Sequence, residues 1–530
     1  MASETQTPNH SKILEYLNKY YLNILSGLLI FCITLYFRWP TKPSPALWLD
    51  EAWRVVNILK VQSINDLIPY MVKGYQLLAS EWILAKISIF FLGVSELSFR
   101  IIPCMLSGFT AIFIFIFSYR FTNIWFGILA GLLYAIGPGF VTLTREFKPY
   151  ALDGFLMLSA YILASYYQRK TRLTDIFFIC LLIIYSVFSW TAIVILPGIF
   201  LYLLIDNKRI DLKIFVIYLL CGSLYYYYFV SVSVGSSSAN DLLRFWGPFI
   251  INSWASVNFQ FNNGFDYEKY IIIPWYFSII SILFLAPIIS LLKKDNLWPL
   301  LTIPLTLNII LSVLGKQAIF TRLTYYLYIL TIIAIIYCID NMCALLANRS
   351  TKLWLRGFAN KPWLLIDTAL IKNFYIAICL TFLIILNIDK FNSILNSRNY
   401  PVDQGYAALE ILNKEFQDGD ILTLDTALST WTYFALTNQV KNRFLSDKSK
   451  TIYTPDTGRG DPTTLCNSMK KNLAGRNYKR LWFFAAHNWP REYLIAVFNR
   501  FGKAKIVLNI NSQALIMIAQ TKNKNIDCNF

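Results

Sequence analysis

The sequence predicts an α-helical polytopic membrane protein with about eleven transmembrane helices, followed by a small C-terminal α/β domain outside the membrane. Three observations carry this. Of the 530 residues, 56% are hydrophobic and 15% charged, and the mean hydropathy of +0.49 is too high for a soluble enzyme of this length. Lysine and arginine form short clusters between apolar runs, so the formal charge of +18 reads as a topology signal and not as a nucleic-acid footprint. From Asn387 onward the long apolar runs stop, and charge and glycine increase.

Residues 1–20 are polar, with Lys12 and Lys19 ahead of an apolar run over 21–37, and no small-residue cleavage site follows. This pattern predicts an uncleaved signal anchor. Further spans are expected near 101–118, 122–142, 150–167, 175–192, 193–206, 214–231, 271–292, 297–314, 323–341 and 371–388. With the N-terminus in the cytoplasm, Arg120, the 169–172 cluster, Lys208-Arg209, Lys293-Lys294 and the group Arg349, Lys352, Arg356, Lys361 all fall inside. An odd number of spans then sends the tail to the external, periplasmic side of a cell membrane. The first external loop, 39–100, has apolar residues at helical spacing (Val55, Ile58, Leu59; Ile83, Ile87, Phe90), which predicts helices lying in the interface. A transmembrane reading of 82–94 fails on length and on Lys86.

Two domains are therefore expected, 1–388 in the membrane and 389–530 outside it. In the second, helical patterns at 404–416, 427–438 and 490–501 alternate with strand-like 421–424, 481–484, 505–509 and 514–519. No glycine-rich dinucleotide fingerprint, P-loop or internal repeat accompanies them.

Seven of the nine cysteines lie in or beside apolar runs without metal-ligand spacing and read as packing residues. Cys466 and Cys528 lie in the polar tail, where an oxidising compartment would allow a disulfide. The two histidines, His10 and His487, are outside the apolar runs, which argues against a histidine-based intramembrane mechanism. Most of the phenylalanine and tyrosine serves interfacial belts and helix packing, and some could line a groove for an isoprenoid or acyl chain.

Chemistry is expected on the external face. Asp50 and Glu51, within Trp48 to Arg54, are adjacent carboxylates close to a membrane surface, costly there unless solvated, paired or used. Arg145, Glu146, Lys148, Tyr150 and Asp153 put two cations, a phenol and two acids at the mouth of two spans; Lys316 and Arg322 repeat the cationic part before another. The plain alternatives are an exposed acid pair and basic interfacial anchors. The sharper reading is a phosphate clamp with a nearby base, which suits transfer from a lipid-linked phosphate donor.

These residues also resemble a family, the GT-C glycosyltransferases, and in particular the branch that contains protein O-mannosyltransferases and the lipid A aminoarabinose transferase. Leu49-Asp50-Glu51-Ala52 is similar to that branch's first-loop acidic motif, and Ser98 to Pro103 resembles its approach to the second span. Gly137-Pro138-Gly139-Phe140 through Arg145, Tyr150 and Asp153 resembles the segment between its third and fourth spans. The resemblance extends over about 330 N-terminal residues. It implies a polyprenyl-phosphate sugar donor, a lipid, glycan or protein acceptor, and a single inverting displacement. Asp50 would be the base, Glu51 would support it or position the acceptor, and Arg145, Lys148, Lys316 and Arg322 would be donor-phosphate ligands. Tyr150, Asp153 and Arg54 would support them; Arg54 stands behind Trp53 where the family often has its basic residue closer to the acids. No cofactor is required by this chemistry, although Asp50, Glu51 and Asp153 could hold a divalent cation.

The competing class is a transporter or flippase of a lipid-linked intermediate. That class predicts broken helices or midplane charges and two-fold internal symmetry, whereas here the charges lie at one surface and the halves differ. An assembly protein anchored in the membrane would need one span. A histidine-dependent acyltransferase lacks its histidine.

Overall fold

The computed structural model describes residues 10–40, 49–67, 79–167, 172–189, 191–206, 280–314, 325–357, 411–412, 414–425, 451–454, 462–485, 491–510, 513–520 and 526–529, with a few isolated positions. The chain divides into two compact units, Met1–Trp39 with Leu67–Leu84 and Arg100–Arg398, and Pro40–Asp66 with Ala85–Phe99 and Asn399–Phe530. The first-loop segments 40–66 and 85–99 thus group with the tail rather than with the helices that flank them in sequence.

The first unit is helical. Its elements are α1 (His10–Arg38), the start of α3 (Ala79–Leu92), α4 (Glu96–Phe121) from Arg100 on, α5 (Ile124–Ile136), α6 (Pro138–Arg145), α7 (Tyr150–Tyr166), α8 (Arg172–Phe188) and α9 (Ala192–Ile205). Among the described residues a π-turn (Ser281–Leu285) leading into α10 (Ala286–Lys293), α11 (Trp298–Val313) and α12 (Tyr325–Gly357) follow; α2 (Leu49–Lys60) belongs to the second unit. Tyr21–Arg38, Glu96–Phe121 and Tyr325–Ala347 are long and apolar enough to cross a membrane, and α5 with α6 makes a fourth crossing when the bent pair is one span. Among the described residues five shorter apolar helices accompany them, and the chain is a multi-pass membrane protein. The expected spans at 214–231 and 371–388 lie outside the described residues.

The expected span 122–142 is two helices bent by 58°. Pro138 opens α6, and Gly137 before it is extended (φ −62°, ψ 122°). A proline disfavours helical backbone at the preceding residue and offers no N–H, so α5 has to stop here. At its other end Asn123 caps α5, its side-chain oxygen accepting from the Trp125 and Phe126 amides at 3.0 and 3.3 Å.

Close helix contact replaces the hydrophobic drive that lipid removes. Gly127 and Gly131, one turn apart on α5, make this possible: a Cβ on Gly127 would lie 3.0 Å from the Phe115 carbonyl oxygen, and one on Gly131 would lie 2.9 Å from Ile30 Cδ1. Between α9 and α11 the approach is tighter still, with a Cβ on Gly198 only 2.7 Å from the Pro299 carbonyl oxygen. Prolines inside helices leave carbonyls without an amide, and side chains answer them. Pro304 removes the partner of Leu300 O, and the Tyr161 hydroxyl of α7 donates to that oxygen at 2.5 Å.

In the second unit the tail forms β1 (Ile421–Asp425), β2 (Thr451–Thr454), α13 (Pro462–Leu473), β3 (Arg480–Ala485), α14 (Arg491–Asn499), β4 (Gly502–Ile510) and β5 (Gln513–Gln520). The strand order is β2-β1-β3-β5-β4. The strand β1 is parallel to β2 and β3, while β5 is antiparallel to β3 and β4. This is the small α/β part expected, with β2 and α13 added; the helix expected at 427–438 lies outside the described residues. Ile421, Leu481 and Phe483 pack with Leu465 and Met469 of α13 and Leu494, Val497 and Phe498 of α14. Next to them Trp482 is buried, and its indole N–H donates to Asp420, which also receives the Arg480 guanidinium. Cys466 of α13 is disulfide-bonded to Cys528, with their Cα atoms 5.6 Å apart. Lys470 and Arg500 tie the same terminal segment through the Ile526 and Asn529 carbonyls.

Candidate active site

The first unit gathers its polar groups where α1 ends, α5 breaks and α7 begins. Arg38, the last residue of α1, is 1% exposed. A buried guanidinium requires acceptors. The broken end of α5 supplies two: Arg38 Nη1 donates to Ala135 O at 2.6 Å and Nη2 to Tyr134 O at 2.8 Å. Its Nε donates to Thr144 Oγ1 of α6 at 2.7 Å, and the guanidinium carbon lies 5.0 Å from the Tyr134 ring centroid. Helix C-termini carry partial negative charge, so a cation there is favourable as well as hydrogen-bonded.

The next residue of α6 returns the contact. Arg145 Nε donates to Phe37 O, in the last turn of α1, at 2.9 Å, and Nη2 reaches the same oxygen. Arg38 thus closes the end of α5 and meets the last turn of α6 through Thr144, while Arg145 closes the end of α1. Ser107 of α4 extends the network, donating to Thr144 Oγ1 at 3.3 Å and pairing with the Tyr134 hydroxyl at 2.9 Å. Tyr134 pairs in turn with the Tyr325 hydroxyl of α12 at 2.6 Å.

Beyond Arg145 the chain leaves the helix at Glu146 and re-enters at Tyr150. Lys148 is 6% exposed, and its Nζ stands 3.0 Å from Glu146 Oε2 in an ion pair whose angles fall short of a well-directed hydrogen bond. The ammonium also lies 5.9 Å from the Tyr150 ring centroid. Asp153, in the first turn of α7 where a carboxylate is favoured, is buried. It accepts from Ser189 Oγ at 2.5 Å, and Ser189 and Tyr185 both pair with Thr191 Oγ1 at 2.8 Å. That chain of hydroxyls joins α7 to the junction of α8 and α9.

Four expected site residues, Arg145, Lys148, Tyr150 and Asp153, therefore lie along one helix junction. Asp50, Glu51 and Arg54 are on α2 of the second unit, where Glu51 is fully buried and Arg54 half-buried three residues later. Lys316 and Arg322 lie outside the described residues. Among the described residues no three acids, histidines or cysteines converge as a metal ligand set.

Arg38, Ser107, Tyr134, Thr144 and Tyr325 carry the network and were not singled out by pattern. One signal was available: with the N-terminus inside, Arg38 stands at the external end of its span, where basic residues are depleted. Ser189 offered no signal, and Glu146 was visible as an acid of the 145–153 stretch without its partner, because both pairings are set by tertiary structure.

No protein-family model matches the chain, and no curated protein matches it. Solved structures do. The apo oligosaccharyltransferase of Archaeoglobus fulgidus superposes with a TM-score of 0.51 at 10% identity, covering 88% of this chain and 70% of that one. The chain shares that fold. The same protein tethered to an acceptor peptide containing the NVT sequon gives 0.50, again at 10% identity, over 88% of this chain and 69% of that one. ArnT from Cupriavidus metallidurans bound to undecaprenyl phosphate covers 94% of this chain and 98% of its own at 10% identity, with a TM-score of 0.48. The likeness to the oligosaccharyltransferase is one of fold.

Proposed function

We propose that this protein is a membrane glycosyltransferase that moves a sugar from a polyprenyl-phosphate donor to a hydroxyl acceptor on the external face. The observation that carries the reading is the junction of α6 and α7, where Arg145, Lys148 and Tyr150 collect beside Asp153 within an oligosaccharyltransferase-like fold. Two cations at the end of apolar helices fit a phosphate whose lipid tail stays in the bilayer. Arg145 would meet it with a guanidinium already anchored on Phe37 O, so little orientational freedom is left to lose. Lys316 and Arg322 would add to the same charge.

In the proposed step the acceptor oxygen attacks the anomeric carbon as the bond from that carbon to the phosphate oxygen breaks. The acceptor proton passes to the Asp50 carboxylate, Glu51 supports that acid, and the lipid phosphate departs with its electron pair stabilised by Arg145 and Lys148. The N-terminus is cytoplasmic, and residues 389–530 form an external domain.

The test is sugar transfer by the purified full-length protein in proteoliposomes, with a panel of polyprenyl-phosphate sugars and Asp50→Asn alongside. Loss of turnover of about 10²–10⁴-fold in the variant, with donor still bound, supports the base assignment. Turnover that survives the substitution removes Asp50 from the mechanism. Absence of transfer together with measured translocation of the lipid would replace the enzyme with a transporter. Loss of activity on chelation, restored by a divalent ion, would add a metal.

A further inference from the structure

A second polar feature of the helical unit lies at the far end of the same helices. The rise of an α-helix places Leu22 about 24 Å along α1 from Arg38, close to the thickness of a bilayer's hydrocarbon core. At that level an open groove of about 620 Å³ is lined by Leu22, Tyr119, Arg120, Asn123, Ile124 and Tyr166. It is bounded by α1, the turn between α4 and α5, and the end of α7.

Its cation is unusual in its surroundings. Arg120 is exposed, and its guanidinium carbon lies 5.0 Å from the Tyr166 ring centroid, so the group is oriented by a ring rather than by an acid. Among the described residues no carboxylate stands within ion-pair distance of it. The acids of this end are engaged with other groups. Asp340 accepts from Asn123 Nδ2 at 2.8 Å, Asp175 from the Tyr167 hydroxyl at 2.5 Å and Asp206 from Asn296 Nδ2 at 3.2 Å. Asp295 accepts from Ser290 at 2.7 Å and from the Tyr337 hydroxyl at 2.6 Å, with Lys293 at 3.9 Å. From Leu22 in the groove wall, Leu25 and Leu29 continue one exposed apolar stripe along α1.

We propose that this groove binds the phosphate headgroup of an anionic phospholipid, with its acyl chains along the α1 stripe. A planar guanidinium placed beside a ring can meet a phosphate with two parallel donors, which a snorkelling lysine would not do. The tyrosine hydroxyls and the apolar stripe below them match the polar-to-apolar gradient of one lipid molecule. This inference requires the membrane setting and does not require sugar transfer.

The test is native mass spectrometry of the full-length protein in detergent, titrated separately with dioleoyl phosphatidylglycerol and dioleoyl phosphatidylcholine. Wild type should retain the anionic lipid at lower concentration. Arg120→Gln should weaken that binding about tenfold, the worth of one charge-assisted contact, and leave phosphatidylcholine unchanged. Tyr166→Leu keeps the charge but removes its platform and should weaken the anionic lipid by a smaller factor; it decides the matter if Arg120→Gln proves poorly folded. Unchanged phosphatidylglycerol affinity in the folded variants, or an equal loss for both lipids, overturns the proposal. So does binding of sn-glycerol 1-phosphate at the affinity of the intact lipid, which would make the ligand a soluble phosphate.

Discussion

Replacing Arg38 by leucine removes the group on which three helices converge. Two carbonyls at the end of α5, Tyr134 O and Ala135 O, lose their donor, while Thr144 Oγ1 keeps its bond to Phe140 O and its contact with Ser107. A buried polar group left unsatisfied costs about 1–3 kcal/mol, so the two carbonyls together represent about 2–6 kcal/mol. Against this, leucine relieves the desolvation of a fully buried guanidinium, which cancels part of the loss. The expected net destabilisation is about 2–4 kcal/mol, and Arg38→Lys should lose less because an ammonium can reach one of the carbonyls. The assay is reversible unfolding in mixed micelles of increasing dodecyl sulfate content, followed by tryptophan fluorescence at fixed lipid. An Arg38→Leu protein within about 0.5 kcal/mol of wild type, the range of unremarkable surface changes, would refute the reasoning.

Three further outcomes are expected. Gly198→Ala should be more harmful than Gly131→Ala, because the new methyl meets the rigid Pro299 carbonyl at 2.7 Å in one case and the movable end of Ile30 in the other. Overpacking of this kind costs about 1–3 kcal/mol, and equal thermal stabilities would contradict it. Cys466→Ser opens a loop of 62 residues, for which chain entropy predicts a loss of about 4 kcal/mol confined to the tail domain, read as earlier proteolysis of residues near Cys528 in the full-length chain. Asp420→Asn leaves Arg480 and Trp482 without the carboxylate they share at 2.6 and 3.0 Å. Only the acid of this pair is fully buried, so the loss of its charge-assisted hydrogen bond is expected to cost about 1.5–3 kcal/mol, and an unchanged Trp482 emission and unfolding midpoint would argue against that role.

How much of this was legible in the sequence follows from which forces act locally. The helices expected at 101–118, 150–167 and 297–314 are visible as apolar runs because lipid leaves a helix little choice, and β1, β3, β4 and β5 follow from alternation and their turn residues. The break at Gly137-Pro138 was written in the sequence as well, yet the run 122–142 reads as one span because hydropathy averages over it. The chemistry of Arg145 was legible in kind, but its anchoring on Phe37 O depends on a contact 108 positions away. Glu146 shows the same limit, since an acid beside two cations can pair with either or with solvent, and only the folded turn selects Lys148.

The contacts that join Arg38 at the end of α1 to α5 and α6 also bear on biogenesis. Arg38 is made about 100 residues before Tyr134, Ala135 and Thr144, which lie 96, 97 and 106 positions later. While the ribosome works through that interval the guanidinium has none of these three acceptors, and it must remain hydrated at the bilayer surface. The first helix can then be inserted early but seated only late, once the broken span reaches it. The arginine that looks like a static cap in the finished protein is, during synthesis, a timer on the closing of the helical bundle.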